Sequence, residues 1–340
     1  MAVKPPTVKK KTGPVTYNWK DHALDGVDVR LRRCTGKKRP GVPAADPSYV
    51  FRENMVREFA WATWPHDDGP WTPCLLSGPK GSGKTSFVEQ IAARCNVPVF
   101  RTNLNVGTTV RHLKGRQGAE AGRTVFIPGI VTMAMEQGAW LLLDELSGVT
   151  PPVALSLFPV LEPDGKVLLE DAQPPRYVRR HPDFRIFCTD NTIGAAQEEA
   201  RFSYTGTNPD LNEALLDRIG SLIEVGYLEP ELEHKAVAAK IPTIEATDLA
   251  CMINVASAVR GSDEIGGGFS TRMLVEWARR AASGSIDARG VIHRPDPEDD
   301  SYILDAARSG FLNKMKSTVE RDALIEVIRR EFDIAMPHNQ

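Results

Sequence analysis

The chain has 340 residues, 41% of them apolar and 25% charged, with a formal net charge of −2. That length predicts roughly two domains, large enough to bury about three quarters of the unfolded surface without a staple. The five cysteines form no CxxC pair, the seven histidines form no HxxxH pair, and no apolar run nears the length of a membrane span; this excludes a cysteine-based zinc site and a transmembrane helix, and points to reduced thiols in a cytoplasmic setting with no membrane contact.

Residues 1–40 carry eleven Lys and Arg against three Asp, a local charge of +8 that leaves −10 for the rest. The opening MAVKPPTVKKK has no apolar stretch, so it is not a secretory signal. A basic, proline-containing leader on a mildly acidic body predicts a flexible, solvated extension over 1–40. Such charge could meet nucleic acid or an acidic partner, although no aromatic interleaving or groove-binding motif accompanies it.

The spacing of Val50, Phe51, Met55, Phe59 and Trp61 predicts a helix from Pro47 to Trp64, ended by Pro65. Cys74 to Ser77 reads as a short buried strand, followed by a glycine-rich loop and a helix that turns Phe87, Val88 and Ile91 inward. Further strands are expected at Val97–Arg101, Ala139–Leu143, Phe184–Thr189 and Leu222–Val225. Strands alternating with helical stretches imply a parallel, helix-covered sheet, an α/β fold. Two pieces break the rhythm. Residues 106–128 are glycine-rich and polar, and read as an inserted loop before a helix at 129–137; residues 162–183 hold Asp164-Gly165 and Gln173-Pro174-Pro175, turn signals around a hairpin. Beyond Leu228 no strand is expected, only four or five helices, which puts a boundary near Tyr227 and divides the chain into 1–40, 41–227 and 228–340.

The strongest motif is Gly78-Pro79-Lys80-Gly81-Ser82-Gly83-Lys84-Thr85, followed by Ser86, a complete GxxxxGK[ST] loop between a predicted strand and a predicted helix. Glycines let successive backbone N–H groups wrap phosphates, and the helix N-terminus adds positive potential. Lys84 would reach the β- and γ-phosphates of ATP, and Thr85 would offer its hydroxyl to Mg²⁺. Some 60 residues on, the apolar strand Leu141-Leu142-Leu143 ends in Asp144-Glu145. Asp144 is placed to join the Mg²⁺ shell and Glu145 to activate the attacking water. Asn191, after the Phe184–Thr189 strand, alone reads as a turn residue; between the phosphate loop and the Asp144 strand it could hold that water or the γ-phosphate. Arg218 precedes the last strand. Arg272 opens a helix that Ser270 would cap.

In this order the elements resemble AAA+ ATPases of the MoxR type, and within them the CobS family of cobaltochelatase subunits. The resemblance spans nearly everything from about residue 40: ADPSYVF at 45–51, RTNL at 101–104, FIPGIVTMAM at 126–135, LEPDGKVLLED at 161–171, HPDFRIFCTDNTIG at 181–194, SYTGT at 203–207, LDRIG at 216–220, FSTR at 269–272 and SGFLNKM at 309–315. It implies a five-stranded parallel sheet with a helical lid, and a homo-oligomeric, hexameric ring with ATP between subunits. By resemblance, Lys84 and Thr85 belong to Walker A, Asp144 and Glu145 to Walker B, and Asn191 is sensor 1. Arg218 is then the finger reaching a neighbour's site, and Arg272 the sensor 2 arginine. In the cobaltochelatase setting the partner would be a von Willebrand A-domain subunit, and the motor would drive cobalt insertion into a corrin precursor. The alternative is a motor outside cobalamin synthesis, phage-encoded for example, acting on a nucleic-acid or protein assembly through its basic leader. The chain has neither a DxSxS metal-adhesion motif nor a His/Cys cluster, so it is not itself the partner or the metal inserter. A scaffold without turnover is disfavoured by the presence of both Asp144 and Glu145.

Overall fold

Short apolar runs with alternating inward faces build the central sheet. In the computed structural model the described residues are 19–24, 27–64, 71–191, 214–262, 265, 268–283, 285–286, 292–293 and 301–334. Two short strands, β1 (Trp19–Ala23) and β2 (Arg30–Cys34), pair antiparallel before the first helix, α1 (Glu53–Thr63). Then come β3 (Cys74–Ser77), α2 (Lys84–Cys95), β4 (Val99–Asn103), α3 (Val110–Lys114), β5 (Gly115–Glu120), β6 (Arg123–Pro128), α4 (Ile130–Gln137) and β7 (Trp140–Asp144). They are followed by α5 (Pro151–Leu161), β8 (Lys166–Leu169), β9 (Arg176–Arg179), β10 (Arg185–Asp190) and β11 (Ser221–Glu224). Five of these strands form one sheet in the order β11-β3-β10-β7-β4, every neighbouring pair parallel. The expected α/β sheet is therefore present.

Side-chain alternation along its strands splits the core into two layers. Leu75, Leu141, Leu143, Ile186 and Cys188 face α4 and α5, whereas Cys74, Leu76, Trp140, Leu142, Phe187 and Ile223 face α1 and α2. The helix at 47–64 begins later than its apolar spacing suggests. Asp46 accepts the Ser48 N–H at 2.9 Å, an Asx turn that diverts the backbone before Glu53. Likewise β4 starts two residues late, because the Val97 N–H donates to Ala92 O at 3.0 Å and closes the end of α2.

Three expectations need correction. The leader is not a free extension over all of 1–40: residues 1–18 lie outside the described residues, but β1 and β2 bury Leu24, Leu31 and Cys34 in the α1–α2 layer. Asn96 Nδ2 further donates to Cys34 O at 3.2 Å. The inserted segment 106–128 is not a loop but α3 plus a tight β5–β6 hairpin, with Gly115 opposite Pro128. Strands also do not vanish after Leu228, since β12 (Ser285–Ile286) and β13 (Ile292–His293) form a two-residue antiparallel pair. The hairpin within 162–183 appears as expected, as β8 and β9. None of the five cysteines forms a disulfide among the described residues, and no helix among those residues is long and apolar enough to cross a membrane.

The C-terminal helices α6 (Pro230–Lys240), α7 (Ala246–Arg260), α8 (Thr271–Ser283), α9 (Ser301–Gly310) and α10 (Thr318–Glu331) enclose an apolar core of their own. Phe269, Trp277 and Phe311 meet edge to face at its centre, with ring centroids 5.0 to 6.1 Å apart. Because Leu31 is 2% exposed, Leu31→Ala should cost about 2–5 kcal/mol, read from the denaturant midpoint. An unchanged midpoint would return β1 and β2 to the status of a free tail.

Candidate functional site

The site forms where the strands of the sheet end. Register sets Asp190 beside Ser77 and Asn103 beside Asp144, so the loops after β3, β7 and β10 open onto one crevice, the usual place for a ligand in an open α/β sheet. The loop after β3 turns back tightly. Gly78 has φ +151°, and a Cβ there would lie 2.1 Å from Val225 O, so no larger residue fits. The loop then feeds α2, which begins at Lys84 as the motif required.

Within the loop, Lys84 Nζ donates to Gly78 O at 2.7 Å, to Pro79 O at 2.8 Å and to Asn191 Oδ1 at 2.8 Å. Burial pushes the Lys84 ammonium below the usual lysine range, while Asp190, Asp144 and Glu145 oppose that shift. Thr85 Oγ1 donates to Asp144 Oδ1 at 2.8 Å, and Thr189 Oγ1 donates to the same oxygen at 2.9 Å. Arg101 Nε donates to Asp144 Oδ2 at 2.6 Å and its NH1 donates to Glu89 Oε1 at 3.2 Å. Ser82 Oγ is buried with no hydrogen-bond partner among the described residues, a polar atom in the phosphate loop that a ligand oxygen would satisfy.

The sheet order and the phosphate loop agree with the comparisons. Residues 73–206 match the AAA domain of the dynein-related subfamily. The chain is 32% identical over 325 residues to the aerobic cobaltochelatase subunit CobS of Sinorhizobium sp, spanning 92% of this chain and 89% of that protein. The chain belongs to the MoxR-type AAA+ ATPases. It is also 28% identical to protein CbbQ of Hydrogenophilus thermoluteolus, over 64% of this chain and 75% of that one. With protein NorQ of Paracoccus denitrificans the identity is 27%, over 62% and 74%. An ATPase of this family needs a phosphate cradle, a hard-cation shell and a water-activating group.

Of the residues singled out in sequence, the fold joins Lys84 to Asn191 and Thr85 to Asp144 by direct bonds. Glu145 stands exposed beside them with φ +60° and ψ +57°, a left-handed conformation that costs a non-glycine residue about 1–3 kcal/mol. Its N–H lies 3.4 Å from Thr189 Oγ1. Arg218 is not brought to its own phosphate loop. Its Nε donates to Glu162 Oε1 at 2.8 Å, its NH1 to Ala214 O at 2.7 Å, and its guanidinium lies 4.3 Å over the Phe158 ring. Arg272 is exposed in the first turn of α8, where Ser270 Oγ accepts the Met273 N–H at 3.2 Å as the expected cap. The 203–207 segment and residues 192–194 lie outside the described residues.

Several residues at the site have no role assigned by the sequence motifs. Arg101 and Thr189 bond Asp144 from the strands on either side. Glu233, fully buried, takes a bidentate pair from Arg260 at 2.7 and 2.8 Å and the Thr271 hydroxyl at 2.6 Å. Arg260 stacks 4.2 Å from the Tyr227 ring, and Tyr227 Oη donates to Lys80 O at 3.3 Å. The only sequence hint for Arg101 was its place in RTNL; Glu233 and Arg260 gave none, being separated by 27 residues.

The lid meets the phosphate loop closely at Gly81, where a Cβ would lie 2.5 Å from Ser270 Cβ and where φ is +77°. Gly81→Ala should therefore weaken ATP binding by about tenfold, equivalent to about 1.4 kcal/mol, while the fold survives. Fluorescent-nucleotide titration would measure it, and wild-type affinity would mean that α8 does not abut the loop in solution.

Proposed function

We propose that this ATPase is a ring motor of the CobS kind, which binds ATP in the loop Gly78–Ser86 and hydrolyses it to ADP and phosphate to remodel a partner protein. The observation that carries the reading is the convergence of Lys84 with Asn191 and of Thr85 with Asp144 at one crevice. Backbone N–H groups of the glycine-rich turn would hold the phosphates, with Lys84 exchanging its loop carbonyls for phosphate oxygens. Glu145 would take the proton of the attacking water, and Asn191 would orient that water or the γ-phosphate.

The oxygen donors Thr85 Oγ1 and Asp144 Oδ1, 2.8 Å apart, suit a hard divalent cation, and Mg²⁺ is the cation this donor set fits. Those two residues would hold it, directly or through water. When bound, it supplies charge neutralisation on the phosphates.

Residues 41–227 would form the nucleotide-binding unit and 228–340 the lid that presents Arg272 to the phosphates. The ring is read as a hexamer, with Arg218 serving the ATP of a neighbouring subunit. Its contacts with Phe158 and Glu162 support this, since they hold it against α5, in the layer opposite the one that packs α2. Identity to CobS over nine tenths of the chain favours the cobaltochelatase setting, with a von Willebrand A-domain subunit as client and cobalt insertion into a corrin precursor as the driven step. Reconstitution of purified chain with candidate von Willebrand A-domain subunits tests this directly. ATPase stimulation by such a subunit supports the client, and no stimulation by any of them removes it.

Glu145→Gln should bind ATP normally and lose about 10²–10⁴ in turnover; a wild-type rate would remove Glu145 from the mechanism. Arg218→Ala should bind ATP and hydrolyse it about 10³–10⁵ more slowly, as other arginine fingers do, whereas Lys84→Ala should fail at its own phosphates. Mixed rings of the two would hold some interfaces that combine an intact loop with an intact Arg218. Partial return of activity is expected, and none in rings shown to mix would make Arg218 a structural residue.

A further inference from the structure

Asp190 is 2% exposed and is given no role by any motif, yet three pieces of the site meet on it. Its backbone carbonyl accepts the Gly78 N–H at 3.3 Å, so the start of the phosphate loop hangs from the end of β10. Its carboxylate stands close enough to Lys84 to favour the ammonium form, ahead of Asp144 and Glu145 in effect. Its Oδ2 accepts the Ser147 N–H at 2.7 Å. Ser147 lies in the 3-10 turn Leu146–Gly148, which begins immediately after Glu145.

That turn has an unusual entry. Glu145 is held in the left-handed region, and the Gly148 N–H closes back onto Glu145 O at 2.9 Å. A non-glycine residue keeps such a backbone only where its surroundings fix it. Two bonds pin this one to β10: the weak bond from Glu145 N to Thr189 Oγ1, and the short, charge-assisted one from Ser147 N to Asp190. Of the two, the second is the stronger clamp, and it comes from a residue buried at the end of β10.

We propose that Asp190 is a positioning residue that aims Glu145: by holding the Ser147 N–H it clamps the Glu145 turn to the same strand end that carries the phosphate loop and Asn191. This rests on the reading of Glu145 as the base. The hydrogen bond, and not the negative charge, is the working part, because an aspartate at β10's end reaches the turn whereas Lys84 has Asn191 and two carbonyls besides.

Two variants of the full-length chain separate these roles. Asp190→Asn loses the charge and keeps an oxygen able to accept the Ser147 N–H. Asp190→Glu keeps the charge and moves the oxygen off by one methylene. Steady-state kcat and the dissociation constant of a methylanthraniloyl-ATP probe are measured for both, beside Glu145→Gln and a thermal melt. The expected result is kcat within about threefold of wild type for Asp190→Asn and a loss of about 10²-fold for Asp190→Glu, the scale of a 1 Å misplacement, with probe affinity little changed in either. Asp190→Asn impaired while Asp190→Glu is active would mean that charge beside Lys84 is what counts, and would overturn the proposal. So would a probe affinity lowered tenfold or more in both variants, or wild-type kcat in both. If Glu145→Gln itself turns over normally, the reading of Glu145 fails on its own account, whatever the Asp190 variants do. Should one variant melt below the assay temperature, the other still decides: a folded Asp190→Asn that loses 10²-fold, or a folded Asp190→Glu that loses nothing, each rejects the clamp.

Discussion

The site depends on where parallel strands stop. Because β3, β7 and β10 pair in one register, Ser77, Asp144 and Asp190 come to the same edge of the sheet, and the bonds that join Lys84 to Asn191 and Thr85 to Asp144 are made at that edge. Asp144 shows what this achieves. Its two oxygens take donors from three elements, Thr85 from α2, Thr189 from β10 and Arg101 from β4. A carboxylate so fully engaged is held in one orientation before any ligand arrives, and electrostatic groups held in place in advance need no reorganisation during reaction. A slip of one residue in β10 would exchange its two faces, undoing that arrangement and both hydrophobic layers together.

A second constraint ties the lid to this edge. The Glu233 carboxylate is buried completely, and the desolvation of such a group is offset only by several good donors. Arg260 supplies two and Thr271 a third. Thr271 is the residue before Arg272, so the buried pair fixes the turn from which Arg272 projects. Arg260 in turn lies on Tyr227, which reaches the phosphate loop at Lys80. Lid and loop therefore share a continuous set of contacts, from a buried ion pair to a backbone carbonyl, and a change in the loop has a direct physical route to α6 and α8.

How much of this was legible beforehand follows from the range of the interactions. The loop Gly78–Thr85 could be read because its chemistry is local: glycines for the backbone, a lysine and a hydroxyl at fixed spacing. The sheet could be read because strands such as Trp140–Asp144, buried at every position, leave an apolar run. Arg101, Asp190 and Glu233 could not, since each matters only through a partner tens of residues away or across the sheet. The composition of the leader misleads for a related reason. Eleven basic residues dominate its composition, while the three that fold it, Leu24, Leu31 and Cys34, are too few to register as an apolar pattern, and β2 places exposed cations around them. Net charge describes the face of a hairpin towards water and says little about the face towards the core.

The bonds at Lys84 add one last consequence. Its ammonium has three donors, and all three are engaged, on Gly78 O, Pro79 O and Asn191 Oδ1. Phosphate can recruit Lys84 only in exchange for some of those bonds, so binding must loosen either the loop carbonyls or Asn191. Release of Asn191 would free its amide beside Asp190, at the strand end that also carries the clamp on Glu145. Phosphate binding and the setting of the Glu145 carboxylate then share one short stretch of backbone, residues 189–191. In that arrangement the sheet edge is more than a support for the site: it is where occupancy of the phosphate loop can be felt by Glu145, the group proposed to act on the water.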